Sequence, residues 1–149
     1  MLLNIVKEVY QTVRKKGVRK PIFVKISPDL SRDEVDSVLD VCMNHLDGII
    51  VSNTTSNQKI KAKYGNKWVN REGGLSGEDY EFRMLSTNVI NRIYRVTNGR
   101  LPIIGCGGVC DPTTALEKFF AGASAVQVVS AIASHGPGVA SKINRGLAD

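Results

Sequence analysis

Residues 48–51, GIIV, are apolar at every position after the glycine and show no alternation of polar and apolar side chains. A strand with one wet face alternates, so this unbroken run, set between turn residues, marks a strand of a parallel sheet covered on both faces. Parallel neighbours cannot be joined by a tight turn; each pair needs a crossover long enough to hold a helix. Short apolar segments at 22–26, 101–104 and 125–129 fit the same role. Their starts are regularly spaced once the polar, basic stretch 59–71 is set aside as a long exposed loop.

Helical signals fill the gaps. Residues 2–16 carry a stripe of Leu2, Leu3, Ile5, Val6, Val9, Tyr10 and Val13, the pattern of a surface helix packed on one side, with Gly17 and Pro21 as its stop. Ser31 followed by Glu34 is a capping box that opens a helix through about Asn44. A helix over 85–96 ends at Asn98-Gly99. Asp111 caps a helix over 112–121 with Pro112 at its first position, and Gly122 ends it. A last helix spans about 137–147. The order is a helix followed by four strand–helix units, which fits a small open sheet or half of a barrel.

At 149 residues the chain holds one domain, 1–149, but is short for a complete (β/α)8 barrel. Its 42% hydrophobic and 23% charged residues are those of a soluble globular protein. The net charge of +6 favours anionic partners, yet many basic residues fall in the first helix and in 59–71, as solvated faces would. No helix or sheet reader of nucleic acid is present. Cys42, Cys106 and Cys110 form no CxxC pair and fit a reducing compartment. No run reaches transmembrane length, and no secretory leader is evident.

In parallel α/β folds, ligands meet the carboxyl ends of the strands. Lys25 lies there in an otherwise apolar strand, where an inward lysine is costly unless it meets an anion. Ser52, Asn53, Thr54 and Thr55 follow the second strand, as polar ligand contacts or as an Asx or Ser/Thr turn. Two glycine-rich turns, REGGLSG at 71–77 and GCGGV at 105–109, expose backbone N–H groups able to cradle an anion. Val129 and Ser130 end the fourth strand, where barrels complete a phosphate site. These features together indicate phosphate binding. Trp68 anchors its loop or meets a ligand. His45 suits a helix end and His135 a surface loop; neither has metal-ligand spacing, so no metal is expected. No paired carboxylates or Ser-His-Asp set supplies an obvious base.

The segments VKISPDL, SNTT, GGLSG, NGRLPIIGCGGV, AGASAVQV and GPG occur in this order, and over essentially the whole chain they resemble the C-terminal half of class 2, quinone-dependent dihydroorotate dehydrogenase. The resemblance implies the last four βα units of a (β/α)8 barrel that holds FMN and oxidises dihydroorotate to orotate in pyrimidine synthesis, with a quinone as electron acceptor. It places Lys25, Ser52, Gly77, Gly107, Gly108, Val129 and Ser130 against FMN, and Asn53 and Thr54 against the pyrimidine. Ser52 stands where the family often has Thr. Val129 replaces the family's usual Tyr, which leaves backbone contact with the phosphate.

The family's serine base and membrane-docking helices are expected upstream of Leu2. The chain alone should therefore be soluble and inactive or nearly so, although the resemblance implies a membrane-associated enzyme, in eukaryotes at the mitochondrial inner membrane. A half barrel leaves two open sheet edges for the missing half or a second copy to cover. A flavin- or phosphate-binding module without catalysis, or a truncated fragment, is the alternative reading. A sugar-phosphate isomerase or aldolase is a third.

Overall fold

Four short strands pair in the order in which they occur in the chain: β1 (Phe23–Ile26), β2 (Gly48–Val51), β3 (Ile103–Cys106) and β4 (Ala125–Gln127), all parallel. The computed structural model describes residues 2–15 and 20–148. Sequential parallel order, with crossovers of a single hand, sends every connecting helix to the same side of the sheet. This is an arc of a (β/α) barrel, not a doubly wound sheet with a reversal of strand order.

Eight helices are described. They are α1 (Leu2–Lys15), α2 (Arg32–His45), α3 (Gln58–Ala62), α4 (Asn66–Val69), α5 (Tyr80–Thr97), α6 (Pro112–Phe120), α7 (Ser130–His135) and α8 (Val139–Ala148). The sequence signals for α2 and α6 correspond to real caps. Ser31 and Glu34 close a reciprocal capping box, and Asp111 accepts from the Thr114 N–H with Pro112 at the first turn. Gly17, read as part of the stop after α1, lies outside the described residues, as do the side chains of Leu2 and Leu3. Val6 is buried, while Ile5 and Val9 remain exposed. The apolar stripe of α1 is thus wider than the surface it covers. The His45 ring stands edge-on to Tyr10 and ties α1 to the end of α2.

The core lies between the sheet and the helices. Ile26, Ile49, Val51 and Ile103 pack against Val35, Leu39 and Cys42 of α2 and Val89, Ile90 and Ile93 of α5. A second cluster joins Val109, Ala115 and Ala131 to Val139 and Ile143 of α8. Successive side chains on a strand point to opposite faces. Phe23, Lys25, Ile50, Ile104, Ala125 and Gln127 therefore fall on the other, concave face, where each is half-buried or exposed. The expectation of a sheet covered on both faces is corrected here: among the described residues, helices cover one face only.

Several boundaries differ from the sequence reading. Helix α5 begins at Tyr80, because Asp79 caps it by accepting from the Phe82 N–H at 2.8 Å. The stretch 59–71 is not one loop. Asn57 caps α3, α4 follows, and half-buried Trp68 has the cations of Lys67 and Arg71 over its ring, at 5.7 and 5.1 Å from the centroid. Strand β3 runs two residues later than expected, so Gly105 lies within it, facing the helices. A Cβ there would come within 3.0 Å of the Lys118 Cβ. The strand expected over 125–129 stops at Gln127, and Val129 is the N-cap of α7.

Lys118 is fully buried beneath β3 and donates to the Arg83 carbonyl at 3.1 Å and the Thr87 hydroxyl at 2.8 Å. Burial disfavours its charged form and lowers its pKa from 10.5 to about 8. Between these values the unfolded chain binds more protons than the folded one, so this group makes stability rise with pH across that window. Substituting Lys118→Met should remove that rise. Melting temperatures of both proteins from pH 8 to 10.5 check this: the parent chain should gain on the variant as pH increases, and a constant difference would contradict the assignment.

Candidate functional site

The carboxyl ends of the strands are stitched together beyond the sheet itself. The Ser52 N–H donates to the Cys106 carbonyl at 2.8 Å, and the Asn53 N–H to the Ile26 carbonyl at 2.7 Å. Residues 52 and 53 are thereby held between β3 on one side and β1 on the other. The Ser52 side chain is buried and turned back on the Asn53 carbonyl, at 2.9 Å. Asn53 is exposed and Thr54 half-buried.

Residues distant in sequence brace this turn. The Asp29 carboxylate accepts from the Thr55 hydroxyl and from the Ser56 N–H, the latter at 2.6 Å. Thr55 also pairs with Leu75 in an antiparallel bridge, N–H to carbonyl in both directions at 2.8–2.9 Å. That bridge carries the GGLSG segment over the end of β2, and a Cβ at Gly74 would overlap the Thr54 side chain. Lys61, expected as a solvated loop residue, is 4% exposed. Its ammonium donates to the carbonyls of Arg71 at 2.7 Å and Gly73 at 3.2 Å, which hold the start of the same segment. Both groups exchange hydration for partners supplied by the loop they order.

The β3 turn lies opposite. Gly107 and Gly108 have φ of +110° and +72°, in the region that favours glycine. A Cβ at Gly108 would run into the stem of Arg83. Arg83 itself is held by Glu117, Nε to carboxylate at 2.8 Å, and lies over the Tyr80 ring. Ser86 donates to the Cys106 carbonyl at 2.7 Å and fixes the strand end from below. Ser76 and Ser130 meet hydroxyl to hydroxyl at 2.9 Å, joining the GGLSG segment to α7. Val129, immediately before α7, is 62% exposed.

Between these turns is a cleft of about 160 Å³. All nine site positions read from the sequence line it: Lys25, Ser52, Asn53, Thr54, Gly77, Gly107, Gly108, Val129 and Ser130. Lys25 reaches across the concave face and donates to the Cys106 sulfur at 3.9 Å. Ser76, Glu78, Phe82, Cys106 and Gln127 line the same cleft. The glycines of GGLSG and GCGGV pointed to its turns, but nothing local marked Asp29, Lys61 or Gln127. His135 closes α7 rather than lying in a loop, and its Nε2 is 2.6 Å from a Glu78 carboxylate oxygen. The arrangement offers one ammonium, several hydroxyls and two glycine-lined turns to an anionic, partly planar ligand.

The class defined by this fold and cleft is a strand-end ligand site on a (β/α) barrel arc. The sequence profile of the family described as Dihydroorotate dehydrogenase matches residues 2–149, and the chain belongs to that family. It is 43% identical over 136 residues to a dihydroorotate dehydrogenase (quinone) of Rhizobium meliloti, covering 90% of this chain and 36% of that protein. The mitochondrial dihydroorotate dehydrogenase (quinone) of Arabidopsis thaliana is 41% identical over 128 residues, covering 85% of this chain and 27% of that one. The crystal structure of the Eimeria tenella dihydroorotate dehydrogenase in complex with ferulenol superimposes with a TM-score of 0.77 at 36% identity, over 89% of this chain and 34% of that one. The chain therefore spans between about a quarter and two-fifths of the length of such relatives, and its four βα units match the C-terminal portion of their barrel.

Asp29→Ala would leave the buried Thr55 hydroxyl and the Ser56 N–H without their acceptor, at a cost of roughly 1–3 kcal/mol. Hydrogen exchange at the Ser56 amide should accelerate and the melting temperature should fall. Unchanged exchange there would show that Asp29 does not hold the turn.

Proposed function

We infer that this chain forms the FMN- and substrate-binding portion of a dihydroorotate dehydrogenase, which oxidises dihydroorotate to orotate in pyrimidine nucleotide synthesis with a quinone as acceptor. The observation that carries the reading is the convergence of all nine positions matched to the family on one cleft. The residues present fit the flavin. Gly77, Gly107 and Gly108 all have positive φ, and the Gly108 turn sits where a side chain would collide with Arg83, so backbone N–H groups can approach a phosphate closely. Ser130 and the backbone of Val129 complete that cradle. Lys25 and Ser52, from β1 and the turn after β2, would hold the ring.

When bound, FMN supplies the two-electron acceptor that no side chain provides. Lys25 places a positive charge beside the ring system, which favours the ligand most when it carries negative charge. Asn53 and Thr54 offer both donors and acceptors to the edge of the pyrimidine, on a turn kept in register by Asp29 and the Thr55–Leu75 bridge. We assign the base that takes the substrate proton, and the contacts with quinone and membrane, to the greater length seen in the relatives. No helix among the described residues is long and apolar enough to cross a membrane.

FMN titration of the folded chain, followed by flavin fluorescence, tests the reading. Saturable binding is expected, weakened by about tenfold or more in Lys25→Ala, the scale of a lost charge-assisted hydrogen bond. Orotate should then shift the absorption spectrum of the bound flavin, whereas a sugar phosphate should not. A folded chain that binds no FMN overturns the proposal that this segment holds the flavin by itself. Binding unmoved by Lys25→Ala removes the lysine from the site.

A further inference from the structure

Three side chains from separate parts of the chain meet at the rim of the cleft with no role in the flavin reading. Glu78 follows the GGLSG segment, Cys110 follows the β3 turn, and His135 is the last residue of α7. One ligand atom from each lies within 4.8 Å of the other two. We propose that Glu78, Cys110 and His135 form a binding site for a zinc-class divalent cation.

The donor set is an imidazole nitrogen, a sulfur and a carboxylate oxygen. That mixture suits a borderline-soft ion such as Zn²⁺ or Co²⁺ and not Mg²⁺ or Ca²⁺, which take oxygen ligands. Three protein ligands leave a fourth tetrahedral position for water. Ligation at about 2.0–2.3 Å would set the ligand atoms roughly 3.3–3.8 Å apart. The His135–Glu78 contact, now 2.6 Å, must open slightly. Both side chains are almost half exposed, at 46% and 43%, so this needs no repacking of the core.

The surroundings favour a cation. The Asp111 carboxylate is 3.8 Å from the Cys110 sulfur, adding a second acidic group beside Glu78. Burial first, and then the charges of Asp111 and Glu78, keep the Cys110 thiol protonated above its ordinary range, while Thr114 and Arg83 act the other way. Arg83 is engaged by Glu117. A dication reverses this balance: the thiol releases its proton to solvent on ligation, and the metal–sulfur bond replaces the S–H bond. Ser134 donates to the same Glu78 oxygen at 3.2 Å and orients it from outside the ligand set. The proposal does not rest on the flavin reading.

Cobalt(II) is the probe, because a thiolate ligand gives it a charge-transfer band and tetrahedral geometry gives it intense ligand-field bands. Titration of the folded chain should saturate at one ion and reverse when zinc is added. Cys110→Ser should abolish the charge-transfer band. His135→Ala and Glu78→Gln should move the midpoint to about tenfold higher cobalt or beyond. All three residues are partly exposed or exposed, and circular dichroism checks that each variant keeps its fold. A folded chain without the band, or a band that survives Cys110→Ser, overturns the proposal and leaves the trio as a histidine–carboxylate pair beside a thiol.

Discussion

Because β1 to β4 pair in chain order and all run the same way, their carboxyl ends reach one rim while the helices gather on one face. That arrangement determines where chemistry can occur. A cleft forms where Lys25 of β1 meets the turns after β2, β3 and β4, and the backbone ladder continues past the strands through Ser52 and Asn53. The apolar cluster of Ile26, Ile49, Val51 and Ile103 against α2 and α5 holds this arc rigid. A fully buried apolar side chain is worth about 1.5–3 kcal/mol, so this cluster outweighs any single polar contact at the rim.

Polar contacts do a different job. Asp29 and Lys61 are each aimed at the backbone of a loop, one at Ser56 and the other at Arg71 and Gly73. Their net contribution to stability is small beside the core, but they select one conformation for loops that hydrophobic packing leaves free. Lys118 works likewise beneath β3, where it ties α6 to α5 through Arg83 and Thr87. The absence of a side chain at Gly105 leaves room for its stem.

Much of this was legible in the sequence. Short apolar runs located the strands, Ser31–Glu34 and Asp111–Pro112 located two helix starts, and the glycine-rich turns located the cleft. These signals are local, since a cap or a turn is decided by residues a few positions apart. The misses were of two kinds. The short helices α3, α4 and α7 carry too few residues to show a period, and α7 opens with Ser130 and Ala131 in place of a clear cap. The braces Asp29, Lys61 and Lys118 meet partners that only the fold brings near. The meeting of Glu78, Cys110 and His135 was hidden for the same reason, since spacing reveals a ligand set only when its members share one element.

The proposed flavin site depends on the glycine turns and Ser130 forming a cradle for the phosphate. The most direct measurement compares the affinity of the folded chain for FMN with that for riboflavin, which lacks the phosphate, by calorimetry at one salt concentration. FMN should bind tighter by about tenfold or more, because each charge-assisted hydrogen bond to the phosphate contributes on the order of 1.5–3 kcal/mol. Equal affinities would show that the turns hold no phosphate and would overturn the cradle.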